Sequence, residues 1–175
     1  MMERKVGERV IRLVGCDITD MEVDAFVYDL TADCKLGSGY GGAIAARGGK
    51  AVQDQLNAIG TLPTGEAVVT TGGNMKARFI IHVNGPKFHE PDTRGKLTRA
   101  VESALRRADE KGLAVLAFPP LGTGLYQVPL DLCASVLLDT VERHLKGPTS
   151  LEEVLFVAVD SREYKPWAAV LEGGK

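Results

Sequence analysis

The stretch AVLAFPPLGTGLYQVP, residues 114–129, decides the fold. Ala114 to Phe118 is a short apolar run of strand length, and Pro119-Pro120 stiffens its exit. Gly122-Thr123-Gly124-Leu125-Tyr126 then opens the backbone, and Pro129 starts a helix that lines up Cys133, Val136, Leu137 and Val141 on one face. The same order of strand, glycine turn and helix occurs upstream. Ala25-Phe26-Val27-Tyr28 is strand-like, and Gly37-Ser38-Gly39-Tyr40-Gly41-Gly42 feeds the helical Ala43-Ile44-Ala45-Ala46. A glycine turn brings successive N–H groups to bear on an anion with no Cβ in the way. The helix N-terminus beyond it adds donors and the positive end of a dipole. Two such devices point to one ligand with two phosphates, held between two loops.

Working outward, strand and helix patterns alternate. Val10 to Val14, Glu66 to Thr70, Phe79 to Val83 and Val154 to Val159 read as further strands, the last nearly all apolar and therefore central. Ile44 to Ile59 reads as helix, broken near Gly48-Gly49. Leu97, Val101, Leu105 and Ala108 share one helix face, and Ser161 is placed to cap a last helix carrying Pro166 in its first turns. The short Gly72-Gly73-Asn74 link makes its two strands antiparallel neighbours, so the sheet is mixed. The expected class is α/β: a three-layer α/β/α sandwich on a mixed, mostly parallel sheet, with residues 1–175 forming a single domain.

Composition excludes several function classes. The chain is 45% hydrophobic and 25% charged, with a formal net charge of −2. With a pI near 5.9 and few aromatics, it lacks the basic groove and stacking platforms of a nucleic-acid binder. A polyanion would have to be held by local backbone donors. Cys16, Cys34 and Cys133 are an odd, scattered set without CxxC spacing, which fits a reducing cytoplasmic setting and predicts no metal site. No apolar run is long enough to span a bilayer, and no cofactor or membrane partner is expected.

The turns fall at the C-terminal ends of strands, where open α/β sheets bind ligands. Asp17, after the first of these strands, can accept from an exocyclic amine, or Asp17 or Thr19 can simply cap the next turn. Tyr40 is core filler or a lid, Thr123 offers a hydroxyl to a phosphate, and Tyr126 can stack on a ribose or base. His82 lies in an apolar strand and reads as a hydrogen-bonded core residue, while His89 and His144 show no partner pattern and read as surface.

These pieces together resemble the macrodomain family of ADP-ribose-binding modules over most of the chain. Gly15-Cys16-Asp17-Ile18-Thr19 is similar to the family's GDIT segment, and Thr64 to Thr70 to its TGEAVVT strand. Ile81 to Pro86 resembles its IHxVGP, and Pro120 to Tyr126 its second phosphate loop. The resemblance implies a roughly six-stranded sheet. It also implies that Asp17 meets the adenine amine, with Ile18 against the ring and Val159 and Asp160 bordering the pocket. Gly37, Ser38, Gly39 and Tyr40 would then close over the distal ribose and its phosphate. Gly122, Thr123, Gly124, Leu125 and Tyr126 would cradle the diphosphate. ADP-ribose or a related nucleotide is the expected partner, with ADP-ribosylated protein a further one.

The chain departs from the pattern of the family's hydrolases. Tyr28-Asp29-Leu30-Thr31 stands where they carry Asn-Ala-Ala-Asn, and Gly41 stands where some carry an Asp. On the resemblance, Thr31 would keep one hydrogen bond to the ribose but not the full pattern. A binding module is therefore expected. The alternative is a hydrolase of ADP-ribosylated protein or ADP-ribose 1''-phosphate, with Asp29 or Asp33 as general base; the same two residues also read as ordinary turn or cap carboxylates.

Overall fold

The computed structural model describes residues 2–37, 39–87, 90–124 and 126–173. Its elements run β1 (Met2–Val6), β2 (Arg9–Gly15), a single 3-10 turn (Ile18–Asp20), β3 (Ala25–Asp29), α1 (Tyr40–Gly48), α2 (Lys50–Ile59), β4 (Ala67–Thr71), β5 (Phe79–Val83), α3 (Thr93–Glu110), β6 (Val115–Phe118), α4 (Leu130–Leu145), β7 (Glu153–Ala158) and α5 (Ser161–Gly173). The strands form one sheet in the order β1-β2-β7-β6-β3-β5-β4. β2, β7, β6, β3 and β5 are parallel neighbours, and β1 and β4 add antiparallel edges. Parallel strands at the centre of the sheet bury both faces, which is why β6 and β7 read as continuous apolar runs, whereas β2 carries Arg9 and Arg12 and buries only Ile11 and Leu13.

Alternation along the strands divides the core into two layers. Val27, Ile81, Leu116, Phe118, Val154 and Phe156 face α3, α4 and α5, where Leu97, Val101, Val136, Leu137 and Trp167 are buried against them. Trp167 stacks on Phe156 with centroids 5.2 Å apart. Phe26, Ile80, Ala117, Leu155 and Val157 face the other way, onto Ile44, Val52 and Leu56 of α1 and α2. The helices thus cover both faces of the sheet, giving the three-layer sandwich expected from the sequence.

Several expectations are corrected. The sheet has seven strands where the resemblance implied about six, because Met2–Val6 pairs with Arg9–Leu13 as a hairpin. Val159 lies beyond β7. The helix expected from Ile44 starts at Tyr40, while its break falls where expected, at Gly49, whose φ of 82° belongs to the left-handed region. Ser161 is the first residue of α5, not its cap. Asp160 fills that role, its carboxylate accepting from the Glu163 N–H at 3.0 Å. His144 does have a partner: it lies 2.9 Å from Asp109, which also accepts from Ser150, so α3 is tied to α4 and to the approach to β7. His82 is a core residue as expected, bonded to the Thr70 hydroxyl at 2.9 Å. His89 lies outside the described residues.

Candidate functional site

Because β3 pairs with β6 in parallel (Ala25 with Leu116, Phe26 with Ala117), the segments leaving their C-terminal ends emerge side by side. Between them is a cleft of about 590 Å³. Tyr28 and Asp29 at the end of β3 line it, with Thr31, Asp33, Lys35, Gly37, Gly39 and Tyr40 from the segment that follows. Pro119 to Gly124 and Tyr126 form the opposite wall, and Arg162 and Glu163 come from the first turn of α5. Both glycine-rich turns therefore face one space. Ser38 and Leu125 lie outside the described residues.

Local backbone chemistry shapes the walls. Gly122 has φ +72°, and a Cβ there would meet Val128 Cγ2 at 2.9 Å, so this bend requires glycine. The turn is held by Val128 N–H donating to the Gly122 carbonyl at 3.0 Å and by Gln127 N–H donating to that of Gly124 at 3.1 Å. Thr123 donates its hydroxyl to the Pro120 carbonyl at 2.9 Å, leaving its oxygen free to accept. Gly39, at φ +63°, leads directly into α1, so the first turn ends on a helix N-terminus.

Tyr28 braces that first turn. Its phenol oxygen is approached by the N–H groups of Gly37 and Gly41, and burial raises its pKa, with the Asp29 charge adding to the effect. A Cβ on Gly41 would lie 2.4 Å from the Tyr28 hydroxyl, so no side chain fits at Gly41 while Tyr28 is present. The two departures noted in the sequence are therefore physically linked.

The two carboxylates proposed as bases differ. Asp29 has only 13% of its side chain exposed. Oδ1 is 3.4 Å from the Gly85 N–H and 3.7 Å from the Lys87 ammonium. Oδ2 is buried with no hydrogen-bond partner among the described residues. Burial raises the Asp29 pKa, outweighing Lys87 and Gly85. Asp33 is exposed, accepts from the Thr31 hydroxyl and the Lys35 N–H, and has its pKa lowered, first by the Thr31 bond.

Asp17, Ile18, Val159 and Asp160 do not line the cleft and form a separate group beyond Tyr40. Cys16 N–H donates to the Ala158 carbonyl at 3.0 Å, bringing the end of β2 beside the end of β7. Asp17 does cap: Oδ1 accepts from the Thr19 N–H and hydroxyl, which lowers its pKa, while Oδ2 faces Arg47 at 3.3 Å. Ile18 is 2% exposed and belongs to the core, so its side chain is not available to lie against a ring. Val159 is 51% exposed, and its N–H donates to Glu163 at 2.9 Å. Tyr40 joins the two regions. It lines the cleft, yet its phenol pKa is pushed up to about 12, by burial first and then by the charges of Glu163, Asp17 and Asp160.

Sequence reasoning missed Lys87, Arg162 and Glu163. Lys87 follows the strand-end segment His82 to Pro86, and its ammonium sits 4.0 Å from the centre of the Tyr126 ring. A cation just past a parallel strand's C-terminal end was the available signal. Among the described residues there is no metal-holding cluster of His, Cys, Asp or Glu, and no helix is long and apolar enough to cross a membrane.

Residues 30–137 match the family model of the macro domain. The chain belongs to the macro domain family. A macro domain-containing protein of Caldanaerobacter subterraneus subsp. tengcongensis is 36% identical over 170 residues, covering 93% of this macro domain and 95% of its own length. Another, from Streptomyces coelicolor, is 38% identical, with 92% and 98% covered. Among solved structures, an Oceanobacillus iheyensis macrodomain mutant with ADPR superposes with TM-score 0.91 at 26% identity, covering 98% of this chain and 97% of that one. The Trypanosoma brucei macrodomain in complex with ADP-ribose gives TM-score 0.86 at 26% identity, with 92% and 68% covered.

Proposed function

We propose that this macro domain binds ADP-ribose or a closely related derivative in the cleft between its two glycine-rich loops. The observation that carries the reading is that Gly37 and Gly39 on one side, and Gly122 to Gly124 on the other, line the same cleft. In this reading the amides around Gly122, Thr123, Gly124, Leu125 and Tyr126 hold the diphosphate. A hydrogen bond to a charged group is worth about 1.5–3 kcal/mol, so several N–H donors suffice without a basic surface. Gly37, Ser38, Gly39 and Tyr40 close over the distal ribose and its phosphate, and Thr31 donates to or accepts from that sugar. The adenine lies past Tyr40, its amine on Asp17 Oδ2, with the exposed Val159 against the ring and Asp160 at the border. Ile18 contributes backbone only. The related structures with ADPR and with ADP-ribose support this choice of ligand.

Calorimetric titration with ADP-ribose tests the reading. A one-to-one isotherm is expected; no heat and no thermal shift at millimolar ligand contradicts it.

A second reading, hydrolysis, is favoured by one observation. Asp29 lines the cleft, has a carboxylate oxygen with no hydrogen-bond partner among the described residues and a raised pKa, all of which suit a general base that takes a proton from an attacking water. Asp33 is the weaker candidate, since its lowered pKa makes it a poorer proton acceptor. Turnover of mono-ADP-ribosylated protein that is lost in Asp29→Ala supports this reading, and turnover that survives the substitution refutes that base.

A further inference from the structure

One end of the cleft carries an acceptor that no described residue satisfies. Asp29 Oδ2 is buried and has no hydrogen-bond partner among the described residues. It lies beneath the second glycine loop, because a Cβ on Gly122 would stand 3.5 Å from it. The neighbouring cations are already engaged. Lys87 Nζ is shared among Asp29 Oδ1 at 3.7 Å, the Leu30 carbonyl at 3.4 Å and the face of Tyr126. Lys35 Nζ donates to Asn57 at 2.8 Å, pointing back toward α2. The other carboxylate at this end, Asp33, accepts from Thr31 and Lys35. What is left unspent here is therefore a buried carboxylate oxygen.

We propose that Asp29 selects the terminal group of the bound nucleotide, accepting one that presents hydroxyl or ammonium donors and excluding one that ends in phosphate. The inference rests on the ADP-ribose reading above and sharpens it. An ionised carboxylate can only accept hydrogen bonds, so a donor arriving at Oδ2 satisfies it. A phosphate brings further acceptors and like charge into a site from which water is largely excluded, where repulsion is poorly screened. Free ADP-ribose, with its terminal sugar hydroxyls, fits, whereas ADP-ribose 1''-phosphate does not. By the same argument, the phosphate ester is the less suitable substrate for any hydrolytic activity of this cleft.

The test is calorimetric titration of the wild-type chain, Asp29→Asn and Asp29→Ser with ADP-ribose and with ADP-ribose 1''-phosphate. The wild-type chain is expected to prefer ADP-ribose by about tenfold or more. Asp29→Asn keeps the shape and the acceptor toward Gly85 but supplies a donor and removes the charge, so the preference should fall to about threefold or less. Asp29→Ser should behave likewise, and a cooperative melt for either variant shows that it is folded. Equal wild-type binding of the two ligands, preference for the phosphate, or a preference unchanged in both variants would overturn the inference while leaving the ADP-ribose reading standing. Failure of the wild-type chain to bind either ligand would overturn both.

Discussion

Gly122 and Gly124 are two residues apart and tolerate substitution very differently. Gly122 is left-handed and crowded by Val128, so Gly122→Ala should cost about 1–3 kcal/mol of stability. A Cβ on Gly124 would meet nothing within 4 Å, and its φ is not positive, so Gly124→Glu should leave the thermal melt nearly unchanged. Its carboxylate would still enter the space assigned to the diphosphate, and calorimetry should show ADP-ribose affinity lowered by roughly a hundredfold or more. Unchanged affinity in Gly124→Glu would refute the loop assignment. A second residue-scale prediction concerns Tyr28 and Gly41. In the wild-type chain Gly41→Ala forces a Cβ to 2.4 Å from the Tyr28 hydroxyl, whereas without that hydroxyl the nearest atoms lie at 3.3 Å. Denaturant unfolding of Gly41→Ala should show a loss of about 1–3 kcal/mol. Tyr28→Phe should relieve it, with a coupling of at least about 1 kcal/mol in a double-mutant cycle. Additive effects would contradict the contact. At this scale the glycines were legible in the sequence because their spacing is local. The Tyr28–Gly41 contact was not, since it joins a strand end to a helix start through loop geometry that no spacing encodes.

At the scale of elements, β4 and β5 carry a buried histidine whose titration should be visible in the stability of the whole chain. Burial lowers the His82 pKa to about 3, so the imidazole is neutral in the fold and protonates near pH 6.5 in the unfolded chain. Below about pH 6.5 the unfolded state therefore binds the proton that the native state refuses. Stability should fall by up to about 1.4 kcal/mol per pH unit between pH 6.5 and 3, and this contribution should be flat above that window. The difference in unfolding free energy between the wild-type chain and His82→Phe, followed against pH, isolates the effect. A pH-independent difference would contradict it. The apolar alternation around His82 marked it as core from sequence alone. By contrast, β1 is hard to see in the sequence because its consecutive Glu3, Arg4 and Lys5 suit an edge strand but resemble a charged terminus. The break between α1 and α2 is signalled by Gly48-Gly49. Its reason is tertiary: a Cβ on Gly73 would lie 2.0 Å from the Gly48 carbonyl, so the β4–β5 link packs directly onto the cut.

For the whole molecule, the decisive fact is strand order. β7 is the last strand yet inserts between β2 and β6, and β6 lies against β3 although α1, α2, β4, β5 and α3 separate them in sequence. Hydrophobic runs showed that these strands are buried, but they do not say which runs are neighbours, because any parallel order buries them equally. The paired strand–turn–helix pattern raised the expectation that two distant glycine turns meet, but the strand order that brings them together comes from the structure. Local chemistry could not have told that Asp17 and Ile18 fall outside the cleft, or that Arg162 and Glu163 border it. A second concavity, about 610 Å³, lies at the opposite ends of the strands, where Arg9 donates to the carbonyls of Leu145, Gly147 and Thr149. The two concavities make the central claim spatially decidable. A crystal structure of the chain with ADP-ribose should place the diphosphate between Gly37–Tyr40 and Gly122–Tyr126, at the C-terminal ends of β3 and β6. A nucleotide lodged beside Arg9 instead, or a diphosphate touching neither glycine loop, would contradict the account.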